Sequence, residues 1–284
     1  MILPEGNPVA ILGLGIIGSR ASSRLSEAGW KVTSWNRTPK GLPGEVATAG
    51  AAVKVASIIS LYLKDIESVR SVVTGIADAL TPGKIVLNHA TLDLETTLWL
   101  EQFCAARACR FLDAPFTGSK VAASNGQLLY YIGGDEDLAR ELEFYLSASG
   151  KGSHHCGAVG SATVVKLATN LVSACTVQAL AESLAIASRF GVSADCLIQA
   201  VALNASSSTL SGMKLPTMAV GDFETHFSLS NMSKDSRYML DLAESAKLDT
   251  PAIMAVSKRM EELTAAGLGD LDYSAVAKPY QIQS

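Results

Sequence analysis

The chain has 284 residues, 23 Lys and Arg against 27 Asp and Glu, a formal net charge of -4, and 48% hydrophobic residues. That length suits one large domain or two smaller ones with a real hydrophobic core, and the composition excludes a disordered chain. A mildly acidic balance gives no general attraction to nucleic acid or to an anionic membrane, so any anion site must be built locally.

The five cysteines, Cys104, Cys109, Cys156, Cys175 and Cys196, are odd in number and show no C-x-x-C spacing. Neither a disulfide framework nor a zinc site is expected, and a cytoplasmic location is the simplest one. The first segment, "MILPEGNPVAILGLG", has no basic region followed by a cleavage site.

In chain order, "PVAILGLG" reads as a short apolar strand ending in glycines. "IIGSRASSRLSEAG" is an amphipathic helix closed by Gly29, and "KVTSWNR" is the next strand. "VASIISLYL", "KIVLNHAT", "RFLDAPFTGS" and "GQLLYYIGG" read as further strands, the first two each preceded by a helix or turn. Short apolar strands separated by helices imply parallel pairing, hence a doubly wound α/β domain over residues 1–161. From about Gly160 the strand pattern stops. Helices are expected over 162–190, 194–203, 211–219, 233–248 and 253–266, forming an all-α domain over 162–284. The first of these, about 43 Å long at 1.5 Å per residue, would join the two domains. It is apolar enough to raise the question of a membrane, but its recurring Thr, Ser and Ala residues indicate burial in protein instead.

"VAILGLGIIGSR" contains Gly13-x-Gly15-x-x-Gly18 between a strand and a helix. The glycines allow a tight turn and close backbone approach, and the helix N-terminus offers free N–H groups to a pyrophosphate. This is the dinucleotide turn of a Rossmann-type sheet, with Ile16 and Ile17 inside it. At the end of the second strand, where an NAD site usually has a carboxylate for the ribose, the chain has Asn36, Arg37 and Thr38. Arg37 suits a 2′-phosphate, with Asn36 and Thr38 as donors and Lys40 as added charge, so NADP(H) is preferred over NAD(H). A lone arginine there could equally be a solvated loop residue.

On the long helix, Thr163, Lys166, Asn170 and Ser173 fall on one face, and Val164, Leu167, Leu171 and Ala174 on another. The stripe with its single lysine faces either solvent or a cleft between the domains. In a cleft, Lys166 could serve as general acid for an alkoxide formed by hydride transfer, with Asn170 orienting it or binding substrate. Thr117, Gly118 and Ser119, after a strand at the carboxyl edge of the sheet, could form an anion nest for a carboxylate or could be a plain turn.

Together these segments resemble the β-hydroxyacid dehydrogenases over essentially the whole chain. "GLGIIG" is similar to that family's cofactor turn, and "DAPFTGS" to its substrate segment, with Thr117 where serine is usual. "GAVGSATVVKLATN" is similar to its catalytic segment, which places Lys166 and Asn170 on catalytic positions. "NMSKDSRYMLDLA" is similar to its late K-D segment, which places Lys234 toward the cofactor or the active-site cleft. The resemblance further implies cofactor contacts at Leu63, Lys64 and Thr91, a carboxylate clamp at Thr117, Gly118 and Ser119, and a homodimer or homotetramer. "TGSKVAASNGQL" looks most like the glyoxylate and succinic semialdehyde reductases, which use NADPH. Phe116 stands where valine is common, and Asn88 and His89 replace the commoner D-x-S; His89 reads as a hydrogen-bonded structural histidine before a pocket residue. The expected activity is NADPH-dependent, reversible reduction of a small aldehyde- or keto-acid. The alternatives are an imine reductase on the same fold and a catalytically silent NADP-binding module.

Overall fold

A computed structural model describes residues 7–280; the opening residues of the segment read above for a leader lie outside them. The described residues form two compact units, one ending at Lys166 and the other beginning at Leu167.

The first unit opens with β1 (Pro8–Leu12), α1 (Ile16–Glu27), β2 (Lys31–Trp35), α2 (Ala49–Val55), β3 (Ile58–Leu61), α3 (Ile66–Gly75) and β4 (Ile85–Asn88). It continues through α4 (Leu94–Ala105), β5 (Arg110–Asp113), β6 (Phe116–Thr117), α5 (Lys120–Ser124) and β7 (Leu128–Gly134). Two short helices, α6 (Glu136–Glu141) and α7 (Glu143–Ser147), then lead to β8 (Gly150–Gly157). β1 to β5 are parallel in the order β2-β1-β3-β4-β5. β1, β3 and β4 are near-continuous apolar runs because helices cover both faces of the sheet, whose two cores lie on opposite sides of it.

The sheet is not all parallel, which corrects the pairing expected from the strand–helix alternation. β7 runs antiparallel to both β5 and β6. Pro115 splits "RFLDAPFTGS" into two strands, since proline has no N–H for a ladder. Its carbonyl still accepts from Tyr131 N at 2.8 Å. β8, "GKGSHHCG", is a strand that the sequence pattern conceals. It pairs in parallel with β7 alone, and most of its side chains are exposed or half-exposed, so no hydrophobic alternation marks it.

The helices of the second half are α8 (Ser161–Arg189), α9 (Ala194–Leu203), α10 (Thr209–Ala219), α11 (Leu229–Ser245) and α12 (Pro251–Leu263). In the second unit, Leu167, Ala174, Val177, Ala181 and Leu184 of α8 enter a core with Leu215, Met232, Met239 and Met260. α8 is less buried than expected. About 33% of its most apolar window is buried, and Val164, assigned above to the apolar face, is 40% exposed. Thr163 and Asn170, from the polar stripe, are buried instead.

Three buried groups explain how these elements are held. Asp113, at the end of β5, accepts from Thr163 N and Thr163 Oγ1, both at 2.8 Å. It thereby caps the first turn of α8 from a distant strand, an interaction worth about 1 kcal/mol in ordinary caps. Burial pushes the Asp113 carboxyl up to about 6, although the Thr163 bonds pull against this. His89, just past β4, is also buried, and burial lowers its imidazole to about 4. In the second unit, Lys214 Nζ lies 2.6 Å from Asp272 Oδ1, and both residues are buried. Asp272 also accepts from the N–H groups of His226, Phe227 and Ser274. Burial alone would raise its carboxyl, but the Lys214 bond and charge and the Ser274 donors hold it below the usual range.

Lys214→Met should destabilise the second unit by about 3–5 kcal/mol, because it leaves Asp272 buried without its cation. Urea unfolding measures this, and a loss under about 1 kcal/mol would mean the pair is solvated. A pH prediction follows from the other two groups. The neutral His89 ring contributes stability that is complete above its ordinary 6.5 and is lost as pH falls toward about 4. Asp113 acts oppositely: ionising it costs stability as pH rises from its ordinary 3.8 through about 6. In the wild-type chain the two oppose each other between about pH 4 and 6. In His89→Gln only the Asp113 effect remains, so the urea midpoint should fall across that interval while the wild type stays flatter. Parallel curves would show that His89 does not titrate there.

Candidate active site

Parallel pairing places the ends of β2, β1, β3, β4 and β5 side by side: Trp35 beside Leu12, Leu12 beside Leu61, Leu61 beside Asn88, and Asn88 beside Asp113. The segments after them carry most of the residues singled out in the sequence. Gly13 to Gly18, Asn36 to Thr38, Leu63 and Lys64, Thr91, and Thr117 to Ser119 therefore all emerge at the carboxyl edge of one sheet, where open α/β sheets bind ligands.

The three glycines do different work. Gly13 has φ +105°, and a Cβ on it would lie 2.3 Å from Tyr62 O. A Cβ on Gly18 would lie 2.0 Å from Gly13 O, so these two serve packing within the chain. Gly15 is exposed, and a Cβ there would meet no protein atom within 4 Å. Its bareness leaves room just before α1, whose first-turn N–H groups have no intrahelical acceptor and no side-chain cap. A pyrophosphate fits that space and those donors.

Asn36 is partly committed to the fold. Its Oδ1 accepts from Leu14 N at 2.9 Å, and its amide donates to Thr38 O at 2.7 Å. It shapes the dinucleotide turn, so the expected donation to a phosphate falls mainly to its neighbours. Arg37, Thr38 and Lys40 are all exposed. Leu63 packs near Gly13, and Lys64 is exposed. Thr91 is half-buried just beyond β4.

Thr117 ends β6, and Gly118 has φ +131°, a left-handed conformation that favours glycine. A Cβ on Gly118 would also lie 2.9 Å from Leu128 Cδ2. Ser119 precedes α5, and its hydroxyl makes no capping bond to that helix.

On α8, Thr163 is bonded to Asp113 and to Thr97 Oγ1 at 3.0 Å, so it anchors the helix and does not face a ligand. Lys166 is half-buried one turn later. Asn170 is 6% exposed and donates to Asp235 Oδ2 at 2.8 Å. Lys234 Nζ lies 2.7 Å from Asp235 Oδ1 and 4.6 Å from the centre of the Tyr238 ring. The second unit thus joins Asn170 and Lys234 through Asp235, a residue for which the sequence reading gave no role. Its signal was the acidic neighbour inside the K-D segment. Ser173 is spent locally, its hydroxyl bonding Thr169 O at 3.0 Å. A cavity of about 590 Å³ lined by Glu182, Ile186, Arg189, Phe190 and Tyr280 contains none of these groups.

Both halves of the chain resemble known proteins. Residues 8–160 match the family described as the NAD binding domain of 6-phosphogluconate dehydrogenase. Residues 160–280 match the one described as NAD-binding of NADP-dependent 3-hydroxyisobutyrate dehydrogenase. The chain is 32% identical over 279 residues to glyoxylate/succinic semialdehyde reductase 1 of Arabidopsis thaliana, covering 94% of this chain and 96% of that one. A solved 3-hydroxyisobutyrate dehydrogenase of Mycobacterium tuberculosis with L-serine has a TM-score of 0.89 at 25% identity, covering 96% of this chain and 99% of that one. A solved imine reductase from Pseudomonas sp. has a TM-score of 0.65 at 22% identity, over 96% of this chain and 99% of that one, a likeness of fold alone. With both halves matched, and a relative at that identity spanning nearly the whole chain, the protein belongs to the β-hydroxyacid dehydrogenase family, as an oxidoreductase that acts on CH–OH groups with a nicotinamide cofactor.

Proposed function

We propose that the chain is an NADPH-dependent reductase of small aldehyde- or keto-acids, with glyoxylate and succinic semialdehyde as the first candidates. The observation that carries this reading is the anchoring of α8. Thr163 is tied to Asp113 of the D-A-P segment and Asn170 to Asp235 of the K-D segment, with Lys166 between them on the same helix.

Reduced nicotinamide, when bound, supplies a hydride to the carbonyl carbon. The chain's task is to hold the reactants and to provide the proton. Lys166 Nζ donates a proton to the carbonyl oxygen, so the product is a hydroxy acid and the lysine is left neutral until solvent reprotonates it. Asn170, its amide fixed by Asp235, orients that exchange or holds the substrate oxygen. The Thr117 and Ser119 hydroxyls and the N–H groups of the 117–119 turn receive the substrate carboxylate. Arg37 and Thr38, with Lys40 nearby, receive a 2′-phosphate, which explains three exposed polar side chains where an NAD site would carry an acid.

Association as a homodimer or homotetramer belongs to the same reading. α9 has no buried residue although it is largely apolar, and Ile186, Phe190 and Leu203 are exposed on the same unit. A second copy would cover such a face.

NADPH oxidation followed at 340 nm should show turnover of glyoxylate or succinic semialdehyde. Turnover of a cyclic imine alone would move the chain to C=N reduction, and binding without any turnover would make it a silent module. Lys166→Ala should lower kcat by about 100-fold or more while leaving NADPH affinity nearly intact; near-normal turnover rejects the acid role. Arg37→Ala should weaken NADPH by about 10- to 100-fold and leave NADH almost unchanged, since only NADPH has the 2′-phosphate. Equal losses in titrations of the two cofactors would reduce Arg37 to a fold-supporting residue.

A further inference from the structure

The first unit contains a cluster of rings and hydroxyls that the proton and hydride steps do not use. Tyr62, just after β3, closes over the dinucleotide turn with its main chain. Its N–H donates to Leu12 O at 2.8 Å, and its carbonyl and Cβ occupy the spaces that side chains on Gly13 and Gly18 would need. Its ring stacks on the His89 imidazole, with centroids 4.4 Å apart and planes at 22°.

The hydrogen-bond partners fix the state of that imidazole. Nδ1 lies 2.7 Å from Ala114 O, which can only accept, so Nδ1 carries the hydrogen. Nε2 then accepts from Ser60 Oγ at 3.0 Å, and Ser60 in turn accepts from Tyr145 OH at 2.8 Å. Ala114 begins the stretch that runs through Pro115 and Phe116 to Thr117. The Phe116 ring lies 6.1 Å from the Tyr62 ring, so the stretch is gripped at its main chain and at a side chain. A leucine would fill the space of His89. It would provide neither the N–H for Ala114 nor the acceptor for Ser60.

We propose that His89 is a positioning residue: its Nδ1–H on the Ala114 carbonyl and its stack with Tyr62 hold the Thr117-Gly118-Ser119 turn in register with the Gly13–Gly18 turn. Asn88 and His89 stand where the resemblance implies a D-x-S sequence. Its kinetic consequence rests on the reading of the 117–119 turn as the carboxylate clamp.

Hydrogen–deuterium exchange on the full chain tests the link without any substrate. In wild type, NADPH should slow exchange at residues 116–119. In His89→Leu these amides should exchange about tenfold faster, the loss expected from one hydrogen bond, and NADPH should no longer protect them. His89→Asn, which keeps an amide donor near the Nδ1 position, should restore most of the protection. Tyr62→Leu cuts the other arm and should abolish the NADPH effect, so the test survives if His89→Leu fails to fold. Equal exchange at 116–119 in all proteins, or no NADPH effect in wild type, overturns the proposal.

Kinetics give the second readout. In His89→Leu, KM for an aldehyde acid should rise about tenfold with kcat within about twofold, and KM for an uncharged aldehyde of the same length should not change. Equal rises for both aldehydes would make His89 a purely structural residue. If wild type turns over no aldehyde acid, the clamp reading fails, and the exchange experiment still decides whether His89 couples the two turns.

Discussion

The bond from Asp113 to Thr163 is the constraint on which the rest of the candidate site depends. A helix begins with N–H groups that have no partner and with the positive end of its dipole. In α8 one of these groups, and the side chain beside it, is met by a carboxylate from the end of β5. Burial penalises the charge on Asp113 while the donors stabilise it, and its raised pKa reflects that contest. The approach is close. A Cβ on Gly133 would lie 2.9 Å from Ala158 O and 3.2 Å from Ala162 N, so β7 needs a glycine where the helix begins. Once that start is fixed, Lys166 has a fixed position one turn on, because each step along a helix adds 1.5 Å and 100°.

The same chemistry recurs in the second unit. Asp235 takes Asn170 on one oxygen and Lys234 on the other. Asp272 takes Lys214 together with several main-chain donors. Each acid is buried and each is answered by at least two donors, which is the condition under which a buried carboxylate organises its surroundings and does not destabilise them. Lys234 is accordingly held by the fold. Its ammonium is engaged by Asp235 and lies over Tyr238, so any part it plays toward a ligand is exercised from a fixed position.

What the sequence made legible was local. The glycine turn could be read because strand, turn and helix follow within a dozen residues, and α9 because Ser193 caps an apolar run that stops at Asn204. The polar stripe of α8 was legible as a stripe, but its purpose was not. Thr163 answers an acid 50 residues away, and Asn170 one 65 residues away. Pairings at that separation leave no periodic trace. The same holds for Val164, which has the right spacing for a buried face and is nevertheless exposed. β8 was hidden for the opposite reason: its order comes from main-chain bonds to β7, and its side chains carry no apolar rhythm. His89 could be read as a hydrogen-bonded histidine, but its partners Ser60 and Ala114 come from two other segments, and Ser60 is in turn bonded to Tyr145 from a third.

An acidic chain that binds a highly anionic cofactor must keep its own negative charge out of the way. Here it does so by commitment. Asp235 and Asp272 are each buried against a lysine, and a charge so paired projects little field beyond its partners. At the carboxyl edge of the sheet the balance is reversed. The loop after β2 exposes Arg37 and Lys40 while its Glu45 carboxylate is taken up by the N–H groups of Lys40 and Leu42, and Gly15 opens the uncapped end of α1. The net charge of -4 is therefore a poor guide to what this protein attracts. The sign that matters is set within a Debye length of about 10 Å, by which groups are spent inside the fold and which are left facing outward.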